Sequence, residues 1–445
     1  MTTTERGVPA ETSTPVPPPV TPLTEPADGL PDVVATEAVL ARVVEAFAAG
    51  TGPVAGDAER ASGYRYGQAT YLVQLRRAGA GTALIDPVGV PDLSALGEAV
   101  GDAEFVLHAA SQDLPGFAAH GLRPARIFDT ELAARLLGME RVGLAAVVAE
   151  VLGLGLAKEH SAVDWSTRPL PEDWLRYAAL DVEVLVELRD RLAERLEAAG
   201  KAEWAAQEFE AVRTAPPPAP RVDPWRRTSG MHVLRNPRQV AAVRALWLAR
   251  DASARARDVS PGRVLPDRAI VAAAKAMPRT AGQLVALQEF GGKGTKRRAA
   301  YWQRAIDEAR ALPDAELPTV RGPRSDGPPP PRTWGDRDPA AARRLASARE
   351  LVTGLSAEHN VPVENLLQPD ALRRLCWTPP AGADAAGIAE FLRGRGAREW
   401  QVGLLAEGLE RAFADAAAGR APARAAGSAA GSAADSAADS AADQV

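Results

Sequence analysis

Two carboxylates two positions apart, Asp57 and Glu59, sit in a short apolar segment between Pro53 and Glu59. In an extended chain residues i and i+2 share a face, so both acids point one way and Ala58 points the other. They repel each other unless a cation or water lies between them. A second pair, Tyr177 and Asp181, is four positions apart within a helical pattern, which stacks the two one turn above each other. There a phenol could orient a water and a carboxylate could hold a cation. A third acid, Asp113, closes Phe105-Val-Leu-His108-Ala-Ala-Ser111-Gln-Asp113, where a buried strand passes into a helix. Ser111 is expected as the N-cap, with Asp113 in the first turn, where a carboxylate also favours the helix dipole. His108 reads as a hydrogen-bonded strand-end residue rather than a ligand. Taken singly, each acid is also what a solvated strand edge or helix face carries.

These residues need a scaffold that brings them together. Leu40, Val43, Val44 and Phe47 mark an amphipathic helix from Glu37, closed by Gly50-Thr-Gly-Pro53. The segments Pro53–Glu59, Thr70–Leu75 and Thr82–Asp86, split by Gly-containing turns, read as consecutive antiparallel strands. After them strand and helix alternate: helix Asp92–Val100, strand from Phe105, strand Arg126–Thr130, helix Glu131–Leu137. That is the pattern of an α/β domain whose sheet is at least partly parallel. Apolar residues at Leu175, Ala178, Val182, Leu185, Leu188, Leu192 and Leu196 predict one buried stripe along a single long helix.

At 445 residues the chain has room for two or three domains. The single cysteine, Cys376, excludes an internal disulfide framework and a cysteine-based zinc site, which fits a reducing, cytoplasmic setting. No apolar run reaches the roughly 18 residues of a membrane span, and no signal peptide is recognisable near Met1. The net charge of −5 hides a division. Residues 34–210 hold 16 Lys/Arg against 27 Asp/Glu, whereas residues 221–310 hold 19 against 7. An acidic block followed by a basic one suggests a cation site followed by a polyanion-binding surface.

The ordered set Asp57-x-Glu59, Asp113 and Tyr177-x-x-x-Asp181 resembles the DEDD exonuclease superfamily, in the branch whose third motif carries tyrosine. With Leu107-His-Ala-Ala-Ser-Gln-Asp-Leu114, Phe128-Asp-Thr130 and Asp164-Trp-Ser-Thr-Arg-Pro-Leu170, it is similar within that branch to the ribonuclease D family. Ala58 stands where that family usually has Thr. The resemblance implies a ribonuclease H-like α/β exonuclease domain with a mixed sheet, followed by all-α HRDC-type domains. It implies two divalent ions, Mg²⁺ or Mn²⁺, held by Asp57, Glu59, Asp113 and Asp181, with Tyr177 orienting the attacking water. Such ions activate a water and relieve charge on the phosphate and the leaving oxygen. The product would be a nucleoside 5′-monophosphate cut from an RNA 3′ end, tRNA precursors or other structured RNA being the implied partners. A DNA exonuclease and a non-catalytic RNA-binding protein are the alternatives.

The expected organisation is a disordered leader (1–33), the exonuclease domain (34–213), a linker (214–230), an HRDC domain (231–312), a second linker (313–335), a second HRDC-like helical domain (336–413) and a disordered tail (414–445). Phe290-Gly-Gly-Lys293-Gly-Thr-Lys296-Arg297-Arg298 is a Gly-rich turn running into a helix start, and its four cations are the expected nucleic-acid contacts. A monomer is expected, with no membrane association.

Overall fold

The computed structural model describes residues 20–156, 160, 162–322 and 326–420. The leader over 1–19 and the tail over 421–445 therefore lie outside the described residues. Two-residue strands β1 (Thr21–Pro22) and β2 (Val33–Val34) come first, then α1 (Glu37–Ala49), which starts where the Thr36 side chain accepts from the Val39 N–H and stops at Gly50. The strands β3 (Thr51–Arg60), β4 (Thr70–Ala78) and β5 (Gly81–Ile85) are antiparallel, as the turn spacing requires. The alternating part follows: α2 (Ser94–Val100), β6 (Glu104–Leu107), α3 (Leu114–Ala119), β7 (Arg126–Asp129), α4 (Thr130–Leu136), α5 (Leu144–Leu152) and β8 (Leu154–Gly155). The strands β6 and β7 run parallel to β3, giving a mixed six-stranded sheet in the order β2-β5-β4-β3-β6-β7. The domain closes with α6 (Glu172–Glu183), α7 (Leu185–Ala198) and α8 (Ala202–Arg213).

Side-chain alternation assigns the two faces of this sheet. Val54, Ala58, Val73, Leu75 and Ile85 pack with Phe47 of α1 in one core. Ala55 points to the opposite face, against Val182 and Leu185, so Asp57 and Glu59 lie on the side that α6 covers. The single long helix expected over Leu175–Leu196 is broken at Val184. The reason is that one stripe serves two cores: Ala178 and Ala179 pack on Leu72 and Leu84, while Leu188, Leu192 and Leu196 join the core of α4 and α5.

Two all-α units follow. The first comprises α9 (Pro237–Arg257), α10 (Pro261–Val264), α11 (Asp267–Ala276), α12 (Ala281–Val285), α13 (Lys293–Arg297) and α14 (Ala299–Ala311). The second comprises α15 (Trp334–Arg337), α16 (Pro339–His359), α17 (Val363–Leu366), α18 (Pro369–Trp377), α19 (Ala385–Gly394) and α20 (Glu399–Ala417). The first helices of the repeat, α9 and α16, are both 21 residues long, start with Pro after an Asn236 or Asp338 cap, and end at a left-handed residue, Asp258 (φ 47°) or Asn360 (φ 48°). Each is followed by a four-residue helix, then an extended Leu265 or Leu367. That backbone echo at one constant offset marks an internal repeat.

Three segments set aside as unstructured are built into the fold. Residues 20–33 are not leader: β1 pairs with β8, and Glu25 and Asp28 bind Arg176 and Arg76. The linkers hold buried tryptophans, Trp225 in the core of the first helical unit and Trp334 in the core shared by the second unit and the sheet domain. A buried Trp removes enough apolar surface from water to order a Pro-rich stretch around it. The last helix also runs past Phe413 to Ala417.

Both helical units are fastened to the sheet domain. The connection leaving β3 grips the first: Tyr66 donates from its N–H to Asp258 (3.2 Å) and from its hydroxyl to Asp251 (3.0 Å), and Arg263 stacks on Tyr64 at 4.0 Å. The second is clamped at α8. The buried Lys201 amine donates to the carbonyls of Leu136 and His359, both at 2.6 Å, closing the ends of α4 and α16 together. Trp204 stacks on Trp400 at 4.6 Å, and buried Glu208 accepts from Arg398 (2.7 Å) and the Trp400 indole (3.1 Å).

Candidate active site

Asp57, Glu59 and Asp181 converge, each presenting a carboxylate oxygen within 4.8 Å of the others. The register explains why. Asp57 and Glu59 project from the centre of the sheet beneath α6, and α6 turns Asp181 down onto them while its small residues Ala178 and Ala179 allow close approach. Tyr177, one turn earlier, is half-buried beside Asp181 and supports its carboxylate. Asp113 stands at the start of α3 next to Asp57, its side chain making no capping bond, with Arg60 3.8 Å from its carboxylate. Arg60 is fixed in turn by donating to the Gln112 carbonyl. The five residues therefore form one cluster, with Asp113 outside the tight trio. Ser111 is not the N-cap expected: it lies inside a short 3₁₀ turn, Ala110–Gln112, and Asp113 itself stands at the helix start.

Electrostatics say what this pocket needs. Burial, reinforced by Asp57, Asp181 and Asp113, pushes Glu59 up to about 10. Burial, with Asp57 adding to it, pushes Asp113 up to about 8 and Asp181 well above the usual carboxylate range. Burial also raises Asp57, against the pull of the Ala58 N–H and Arg60. Near neutral pH such a cluster retains protons unless a cation takes their place. All the donors are hard oxygens, the set suited to Mg²⁺ or Mn²⁺. The residues present thus fit a divalent cation centre.

The supporting loop comes from two places. Arg168 grips Asp86 through two bonds of 2.7 Å and donates to the Trp165 and Tyr71 carbonyls, which pins Trp165 against Trp174 and Tyr177. His108 bonds Thr130 at 2.8 Å just past the end of β6, burial lowers it to about 4, and it stands outside the acidic trio.

A family model described as 3′-5′ exonuclease matches residues 31–197, an HRDC model matches 239–306, and a model described as 3′ to 5′ exonuclease C-terminal domain matches 327–413. The ribonuclease D of Granulibacter bethesdensis is 32% identical over 64% of this chain and 70% of its own length. The chain belongs to the ribonuclease D family. It is a 3′–5′ exoribonuclease by that membership. A crystal structure of a protein from Bifidobacterium adolescentis superposes with a TM-score of 0.80 at 40% identity, covering 89% of this chain and all of that one. The crystal structure of Escherichia coli RNase D, described as an exoribonuclease involved in structured RNA processing, gives a TM-score of 0.61 at 27% identity, covering 86% of this chain and 98% of that one.

A further residue of this site, Asp129, is not among the expected ones. Its carboxylate accepts from the N–H groups of Ala109 (3.1 Å), Ala110 (2.8 Å), Glu131 (2.9 Å) and Leu132 (3.1 Å). It thereby caps α4 and holds the strained turn at Ala109 (φ 61°) that aims Asp113. The signal was available, since Asp directly before Thr130-Glu131 is a helix start. Asp129→Ala is expected to cost about 1–2 kcal/mol as a lost cap and to lower kcat more than KM changes. Thermal unfolding and steady-state kinetics on the same preparation check this.

The four expected nucleic-acid residues do not behave alike. Lys293, Lys296 and Arg297 are exposed on the five-residue α13. Arg298 turns inward, donating to Ser253 and lying over Tyr301 at 4.5 Å and Trp302 at 5.6 Å. Neutralising the three exposed cations is expected to weaken RNA binding and reduce its logarithmic salt slope by about 2–3. Arg298→Ala should instead lower stability. Binding isotherms across a salt series and thermal melts separate the two.

Proposed function

We propose that the chain hydrolyses RNA one nucleotide at a time from the 3′ end, releasing nucleoside 5′-monophosphates, with tRNA precursors or other structured RNA as substrates. Asp57, Glu59 and Asp181, with Asp113 beside them, would hold two divalent ions. Once bound, such ions neutralise phosphate charge and activate a water. The chain's own residues do the rest. Asp57, Glu59 and Asp181 fix the site on two rigid elements, and Arg60 keeps Asp113 in place. Burial and the neighbouring anions hold Tyr177 far above its ordinary range, so its phenol stays protonated and orients water without abstracting a proton. Lys293, Lys296 and Arg297 would contact the RNA backbone outside the pocket. We read the chain as a cytoplasmic monomer. Among the described residues no helix is long and apolar enough to cross a membrane.

The observation that carries this reading is the meeting of three carboxylates, with Tyr177 beside Asp181. The experiment is incubation with Mg²⁺ and matched 5′-labelled RNA and DNA, with products resolved by chromatography. Stepwise shortening of RNA with 5′-mononucleotide release, lost in Asp57→Asn and strongly slowed in Tyr177→Phe, is expected. RNA binding without shortening would instead favour a non-catalytic binder.

A further inference from the structure

Gln74 is the most completely enclosed polar side chain near the acidic pocket. It is 0% exposed, and among the described residues neither its amide nitrogen nor its amide oxygen has a hydrogen-bond partner. Buried amides in native proteins are nearly always paired, so an orphaned one calls for an explanation, a functional role or a bound ion among them. The register identifies what surrounds it. Gln74 of β4 lies directly opposite Asp57 of β3, and its other strand neighbour is Leu84 of β5. Directly opposed residues share a face, with Cβ atoms about 5 Å apart. Leu72 and Leu84, on that face, are apolar, and α6 closes over them. Arg76, two positions along, is taken up by Asp28 (2.8 Å), Thr82 (2.8 Å) and Glu183 (3.2 Å). Two carboxylates border this face: Asp57, directly across in the register, and Glu183, which pairs with Arg76 and has one buried oxygen unpaired among the described residues.

We propose that Gln74 is a positioning residue of the exonuclease centre, its amide N–H donating to the Asp57 carboxylate when that carboxylate holds a divalent ion. The proposal rests on the reading of the acidic trio as a cation site. Its physical content is orientation: an amide beneath Asp57 selects which carboxylate oxygen turns toward the ion and keeps the side chain from rotating away. Partners one step behind a ligand commonly change metal affinity 10–100-fold when removed. Glu183 lies on the α6 end of the same face, so an amide serving it would anchor α6 and leave the ion untouched.

The test compares wild type with Gln74→Leu, of similar volume without the amide, and with Gln74→Met as a second replacement should the first fold poorly. Three quantities are measured: Mn²⁺ affinity by titration calorimetry with the paramagnetic resonance spectrum of the bound ion, unfolding temperature in chelator, and kcat and KM on a short RNA. The proposal expects Mn²⁺ affinity to fall about 10–100-fold, the bound-ion spectrum to change, and kcat to drop with little change in KM. The unfolding temperature in chelator should be equal or higher, because an orphaned buried amide is gone. Unchanged Mn²⁺ affinity and spectrum in a folded variant would overturn it, and a lower unfolding temperature alongside would assign the amide to Glu183. Wild type that binds no Mn²⁺ would sink the cation-site reading itself, a distinct result seen before any variant is made.

Discussion

Asp181→Asn is expected to slow mononucleotide release by on the order of 10³-fold or more while making the cation-free protein more resistant to heat. The first effect follows from losing one of the four proposed ligands, since a bound divalent ion would provide several kcal/mol of charge stabilisation, each 1.36 kcal/mol being tenfold in rate. The second follows from the raised carboxyls. Glu59 has an ordinary value of 4.5 and is pushed up to about 10 in the fold, first by burial and then by Asp57, Asp181 and Asp113. Above about pH 4.5 the unfolded chain gives up this proton while the folded chain keeps it. Stability without a cation therefore falls as pH rises, across the window from about 4.5 to about 10. Asp181→Asn removes one of the repelling charges and should melt higher than wild type in chelator at pH 8, the gap narrowing toward pH 5. Mn²⁺ should raise the melting temperature of wild type, more at pH 8 than at pH 6, and do little for the variant. Calorimetric melts over that pH range, with and without Mn²⁺, decide it. A variant that melts below wild type in chelator would mean the carboxylate stabilises the fold directly.

Arg398→Ala is expected to be the most destabilising single change in the second helical unit. Glu208 is 6% exposed, and its two oxygens are served by Arg398 and the Trp400 indole. Removing the guanidinium leaves a buried carboxylate with one neutral donor, a loss of about 3–5 kcal/mol. At roughly 2–4 °C per kcal/mol for a domain of this size, the melting temperature should drop by about 6–20 °C. Burial already raises Glu208, with Arg398 pulling it back down. Without Arg398 the folded protein retains its proton to higher pH, so the deficit should shrink as pH falls toward 5. Adding Glu208→Gln to Arg398→Ala should recover much of the loss, since the buried charge is gone. Additive losses in that double variant would show the two side chains act independently.

The acidic trio was legible because strand and helix periods fix which residues share a face: i, i+2 for Asp57 and Glu59, and i, i+4 for Tyr177 and Asp181. Their meeting was not contained in either period alone, since it depends on α6 crossing the sheet above β3. The helix break at Val184 escaped because Leu175 to Leu196 satisfies a single stripe. Only the position of α4 and α5 reveals that its two halves face different cores. Ser111 failed as a cap because Asp129 had already claimed the turn, holding Ala109 and Ala110 by their N–H groups. Arg298 looked like its three neighbours in sequence, yet the aromatic pair Tyr301 and Trp302, three and four residues on, gives it an inward surface to lie on. Pro-rich composition pointed to linkers, whereas the single Trp within each stretch was the stronger indicator of burial.

The clamp at Lys201, Trp204 and Glu208 bears on how the polypeptide leaves the ribosome. The sheet domain is complete in sequence by Arg213, but the face of α8 that holds these residues is covered only when the helices around His359 and Trp400 have been made. Translation at about 5–20 residues per second puts roughly 10–40 s between those events. Over that interval the Trp204 face of α8 in the nascent chain awaits its cover. A stalled or truncated message would leave that surface open for good.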